Sequence, residues 1–107
     1  LVGSEMCIRD RDMTDKILAK INTEYELFFM QMMSCTKELL YSRSREIEMK
    51  KTITSFLRNE VKNNKDIKLI RMSTSINLLD EFYRYATDHE DISLDEAMKI
   101  YIKNYTD

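Results

Sequence analysis

A chain with no proline and a single glycine, Gly3, lacks the two residues with which most tight turns are built. Glycine reaches backbone conformations closed to residues bearing a Cβ, and the hairpins of small all-β domains depend on it. The feature points to helices joined by short polar breaks and excludes collagenous and low-complexity architectures. Composition agrees: 43% of the 107 residues are apolar, 34% are charged and the formal net charge is −2. These values describe one charge-rich, soluble, all-α domain, of a size that buries about 60% of its unfolded surface.

Residues 1–12 read LVGSEMCIRDRD and precede Met13-Thr14-Asp15-Lys16, a natural-looking start. The run Ser4-Glu5-Met6-Cys7-Ile8-Arg9-Asp10-Arg11 resembles the translation of a sequencing adapter found at the ends of metagenomic open reading frames. Residues 1–12 are therefore expected to be a non-native leader, and 13–107 a single helical domain. Without the leader no glycine remains and Cys35 is the one cysteine. One thiol forms no internal disulfide, which suits a reducing cytoplasm.

Four to five helices are expected, at about 14–33, 36–62, 66–72, 75–87 and 93–105. Ile17, Leu18, Ile21, Tyr25, Phe28, Phe29 and Met32 recur every three or four residues behind a cap at Thr14. The end of this helix, Phe28 to Met33, is apolar almost all round. Its methionines suit either a binding patch or, the preferred reading, irregular core space. After Ser34-Cys35-Thr36 a second stretch runs from Leu39 to Val61. Arg43, Glu46 and Lys50 fall inside its apolar arc, so either the helix is offset near Ser42-Arg43-Ser44 or long side chains snorkel out. One continuous helix, weakly packed in its middle, is the favoured reading.

Asn63-Asn64 is the clearest turn signal, because Asn tolerates the left-handed conformation that ends helices. Ile67, Leu69, Ile70 and Met72 alternate almost as a strand would, but no second strand exists to pair with them, so a short helix is expected. A cap at Ser75 opens a helix through Ile76, Leu79, Phe82, Tyr83 and Ala86. Ser93-Leu94-Asp95-Glu96 matches the capping box that opens the last helix.

Several chemistries are absent from this pattern. Phosphate-cradling loops need glycines, and zinc sites need three or four Cys or His ligands, where only Cys35 and His89 follow the leader. Asp88, Glu90, Asp91 and Asp95 lack the spacing and glycine of a calcium loop. No spacing couples Cys35 to His89 as a nucleophile to its base; Cys35 is expected to be packed between helices and His89 to be solvated. No enzyme, cofactor, metal site or membrane span is expected.

Charge is unevenly spread. Residues 43–71 carry nine bases, Arg43, Arg45, Lys50, Lys51, Arg58, Lys62, Lys65, Lys68 and Arg71, against four acids, whereas residues 80–107 carry three bases against eight acids. The basic stretch is a candidate surface for an anionic partner, and residues 66–87 have a helix-turn-helix rhythm. Its second helix, carrying Asp80 and Glu81, offers no row of base-reading side chains. The simpler reading is that the two halves face each other or water.

The pattern Ile17-Leu18-Ala19-Lys20-Ile21 with Glu24-Tyr25, Lys37-Glu38-Leu39-Leu40, Arg45-Glu46 to Ile53, Ser73-Thr74-Ser75, Leu78-Leu79-Asp80-Glu81-Phe82-Tyr83 and Asp88-His89 resembles the bacterial domain-of-unknown-function family 3848. The likeness spans about residues 17–103 and contains no catalytic signature. The prolines usual before the family's second helix and in its Ser-rich break are missing here, as is an aromatic-rich segment near residue 44. The resemblance implies a small helical protein of gut-type anaerobic bacteria, often encoded on phages or integrative elements. The expected function is accordingly that of a non-catalytic, cytoplasmic accessory factor that binds a protein partner. The alternative is a nucleic-acid-associated module using the basic 43–71 stretch.

Overall fold

A computed structural model describes residues 2–106, with side chains from residue 11 onward. Six helices and a closing 3-10 turn follow one another: α1 (Val2–Met33), α2 (Lys37–Ser42), α3 (Ser44–Asn63), α4 (Leu69–Ser73), α5 (Leu78–Asp88), α6 (Leu94–Tyr101) and the turn Ile102–Tyr105. No strand occurs among the described residues. The body measures 57 × 31 × 19 Å, its length set by α1.

Ile17, Ile21, Glu24, Phe28 and Met32 form the buried stripe of α1, spaced four, three, four and four residues apart. It lies along α3, whose own buried face is Lys50, Ile53, Thr54, Leu57 and Val61. α5 packs across both helices through Leu78, Leu79, Phe82 and Ala86, and α6 closes over α5 with Ala97 and Met98. Phe82, 1% exposed, stands at the centre of an aromatic group. Tyr101 meets its ring edge-on at 4.8 Å, Tyr105 stacks at 6.2 Å and Phe56 tilts against it at 6.4 Å. Such pairs add about 0.5–1.5 kcal/mol to the burial of the rings themselves.

The breaks depart from expectation in informative ways. α1 starts at Val2 and runs through Thr14, so Thr14 caps nothing. No proline interrupts the residues before it, and helical hydrogen bonding continues back through them. The single helix expected over 36–62 is two. Arg43 (φ −103°, ψ 8°) leaves helical geometry, ending α2 with its N–H on Leu39 O and starting α3 with its C=O accepting from Ile47. Ser42 Oγ bonds Leu39 O at 2.9 Å beside the break, the local competition by which serine weakens a helix. No residue of α2 is fully buried and only Leu40 packs against the core, so little packing holds α2 in line with α3.

Asn63-Asn64 makes its turn without the left-handed backbone, since no described residue has positive φ. Asn64 is extended (φ −90°, ψ 108°), and its side chain does the work: Nδ2 donates to Glu60 Oε2 at 2.8 Å and Oδ1 accepts from Asp66 N at 2.9 Å. The latter contact is the Asx-turn available to asparagine. The 66–72 segment is helical as expected, but only over Leu69–Ser73.

The next cap is Asn77, accepting from Asp80 N at 2.9 Å, and not Ser75. Ser75 is diverted to tertiary bonds, its hydroxyl to Glu81 and its carbonyl to Lys20, and Ile76 is left 97% exposed instead of joining the helical face. Ser93 caps α6 as its sequence predicts, accepting from Glu96 N at 3.2 Å. That helix tightens to 3-10 geometry after Tyr101, short of the α-helix expected to residue 105.

Candidate functional site

The nine basic residues do not form one surface. Lys50 is buried: its ammonium pairs with Glu46 at 2.8 Å and sits over the Phe28 ring at 4.1 Å and the Tyr83 ring at 5.0 Å. It is an internal tie between α1, α3 and α5 and leaves the candidate anionic-partner surface. Burial and the neighbouring Glu46 carboxylate push the Tyr83 hydroxyl above its ordinary range. Arg43 reaches Glu46 at 3.9 Å, Arg45 reaches Glu90 of the acidic loop at 3.5 Å, and Arg71 donates to Asn104 O at 2.8 Å. Lys68 is engaged as well, and its backbone N–H donates to Tyr105 O.

Lys51, Arg58, Lys62 and Lys65 stay exposed without an ion pair among the described residues. Lys51, Ser55, Arg58 and Lys62 repeat at intervals of four, three and four, one side of α3, over about 16 Å at helical rise. A cleft of about 590 Å³ lies beyond, where Lys62 and Lys65 accompany Val61, Ile67 and Leu69. These lysines flank the carbonyl end of α3, whose partial negative charge they offset. The short α4 carries only five residues, less than a helix-turn-helix first helix needs to cross a backbone.

Cys35 and His89 are each tied to their own turn of chain. Cys35 is half-buried, its thiol donating to Gln31 O at 3.3 Å. His89 is not simply solvated: it stacks on Tyr85 at 4.0 Å, and Nδ1 lies 2.8 Å from Tyr85 O. A carbonyl only accepts, so Nδ1 carries the proton. Among the described residues no group of three or more His, Cys, Asp or Glu side chains is placed to hold a metal. No helix there is long and apolar enough to cross a membrane.

A polar network that no sequence spacing suggests locks α1 to the other end of the fold. Glu24, 8% exposed, accepts from Leu79 N at 3.0 Å, satisfying a first-turn amide of α5. Lys20 lies 3.1 Å from its other oxygen and donates to Ser75 O. Glu81 then accepts from Ser75 and from the hydroxyls of Tyr101 (3.1 Å) and Tyr105 (2.8 Å). Burial first, and the Glu81 bond second, raise both tyrosines above their ordinary value of 10.0. Every one of these groups is spent on another part of the chain, so the network is scaffold.

The last turns of α1 and the whole of α2 form the opposite case. Phe28 and Met32 enter the core as expected of core methionines and their neighbours, but Phe29, Met30 and Met33 do not; they are 48%, 67% and 71% exposed. Leu27, Leu39 and Tyr41 are open beside them in sequence, and an apolar cleft lies between Tyr25, Phe29 and Met30 with Glu26 at its edge. Singly exposed apolar residues are ordinary, whereas a contiguous apolar patch on a soluble chain marks an interaction surface. The near-complete apolarity of residues 28–33 carried this signal; the preferred assignment of it all to the core did not survive.

Comparison of the chain with family models, with curated proteins and with solved structures finds no match in any of the three.

Proposed function

We propose that this chain is a non-catalytic interaction protein that docks another protein on the open corner made by the end of α1 and by α2. The observation that carries the reading is the run of exposed Leu27, Phe29, Met30, Met33, Leu39 and Tyr41 in fifteen consecutive residues, beside a body whose polar groups are internally matched. Methionine, with three rotatable bonds and a polarisable sulfur, adapts to partner surfaces. The resemblance to family 3848 supports a bacterial accessory role in the cytoplasm, and with it an association with a phage or integrative element.

A photo-crosslinking residue at position 30, introduced into the chain in living bacteria, is expected to give a covalent protein adduct. The same residue at position 76, where Ile76 is exposed but isolated, is expected to give none. Equal absence of adducts at both positions overturns the reading.

The second reading, a nucleic-acid-associated module, is favoured by the Lys51–Ser55–Arg58–Lys62 stripe alone. A row of three cations along one helix predicts weak binding of generic duplex DNA with a log–log salt slope near −2 to −3, roughly one counterion per contact. No binding at low salt removes it.

A further inference from the structure

We propose that the cleft where α1 passes the α3–α4 turn binds a small amphiphilic anion, a carboxylate carried on a short aliphatic chain. This site is separate from the open corner. Thr14 on its wall and Phe29 in the corner lie on the same helix, about 22 Å apart at helical rise.

The cleft has the size for such a ligand. It measures about 590 Å³, inside the roughly 300–1,000 Å³ of small-molecule pockets. Its walls come from separate parts of the chain: Thr14 on α1, Val61 and Lys62 in the last turn of α3, and Lys65, Ile67 and Leu69 from the turn into α4. Those walls are held in place. Asn64 ties the turn to Glu60 Oε2 and to Asp66 N, and the Lys68 N–H donates to Tyr105 O, so the cleft is formed without a ligand in it.

The lining sets the chemistry. Val61 belongs to the core and Ile67 and Leu69 pack against it, so what these three leave to the cleft is hydrocarbon. Lys62 and Lys65 are exposed, and neither makes an ion pair among the described residues. No carboxylate lines the cleft among those residues, since the Glu60 side chain is taken by Asn64 and Asp66 lies outside it. Two free cations beside an apolar floor suit a ligand whose head meets the ammoniums and whose chain lies along the hydrocarbon, the lysine stems adding to that surface. A single charge is the better match. The carbonyl end of α3 carries a partial negative charge that offsets part of the lysines' own and opposes the two charges of a phosphate.

Titration of the isotope-labelled full chain with sodium octanoate, followed through its amide NMR shifts, tests the site. Saturable shifts are expected at residues 61–69. Octanol and inorganic phosphate each hold one half of the ligand's chemistry and are expected to bind there more weakly. Lys62→Gln/Lys65→Gln is expected to weaken octanoate binding about five- to tenfold, the scale of two exposed ion pairs, with the amide spectrum outside the cleft unchanged. Shifts absent from 61–69, octanol binding there as tightly as octanoate, or undiminished binding by the double variant overturns the proposal. None of these outcomes bears on the photo-adduct at position 30, so the cleft and the corner stand or fall separately.

Discussion

Around Phe82 the hydroxyls of Tyr101 and Tyr105 both end on Glu81, whereas around Met30 the apolar side chains of Phe29, Met30 and Met33 stay 48–71% exposed, with the Tyr25 ring beside Phe29. Both regions draw on the same kinds of residue, aromatic and long aliphatic side chains on helices. What differs is coverage. α5 is overlaid by α6 and the closing turn, and the hydroxyls of Tyr101 and Tyr105 that this burial strands are collected by Glu81. The end of α1 is followed by α2, a six-residue helix with no fully buried residue, which sends only Leu40 against the core and leaves Leu39 and Tyr41 open. The contrast teaches that burial here follows which helix folds back over which, since local hydrophobicity is high at both places.

The comparison breaks most visibly at its centre. Phe82→Ala removes the ring on which Tyr101, Tyr105 and Phe56 converge, and is expected to lower unfolding stability by about 3–5 kcal/mol in urea titration. A loss under 1 kcal/mol means that this end is no better sealed than the other. Lys50 tests the boundary between the regions, because its ammonium lies on Phe28, directly inside the open corner. Lys50→Ala is expected to cost about 2 kcal/mol, the scale of a desolvated cation–π contact. Lys50→Met restores the buried stem and should recover most of that loss. A neutral Lys50→Ala would return this lysine to the surface set.

The tyrosines on Glu81 give a pH signature. Their protons are held more tightly in the folded chain than in the unfolded one, where the ordinary value is 10.0. The unfolded state therefore releases protons first as pH rises. This contribution is complete below pH 10 and is lost progressively above it. Tyr105→Phe is expected to cost about 1.5 kcal/mol at neutral pH, the worth of a hydrogen bond to a charged group, and to flatten the alkaline decline. An unchanged alkaline slope in that variant places the titration elsewhere.

How much of this was legible in the sequence follows from the same distinction between local and tertiary causes. The all-α class came from the missing glycine and proline, and the Ser93 cap from a local box. The break at Arg43 was visible as a misfit, with Arg43, Glu46 and Lys50 inside an apolar arc, yet an offset and a snorkelling face produce the same misfit. Ser75 and Asn77 both cap helices; Asn77 won because Lys20, distant in sequence, claims the Ser75 carbonyl while Glu81, on α5 itself, claims its hydroxyl. Lys50 read as a surface base because its aromatic neighbours come from α1 and α5. Among the apolar residues 28–33, which ones turn inward depends on where α3 lies, and periodicity alone does not say.

That last point yields the smallest expected effect. Met32 and Met33 are neighbours in sequence, yet one is 3% exposed and the other 71%. Met32→Ala empties core volume and should cost about 2–3 kcal/mol, whereas Met33→Ala at low protein concentration should stay within about 0.5 kcal/mol of the parent. A loss at Met33 as large as the loss at Met32 would show that the Met33 side chain is covered in solution.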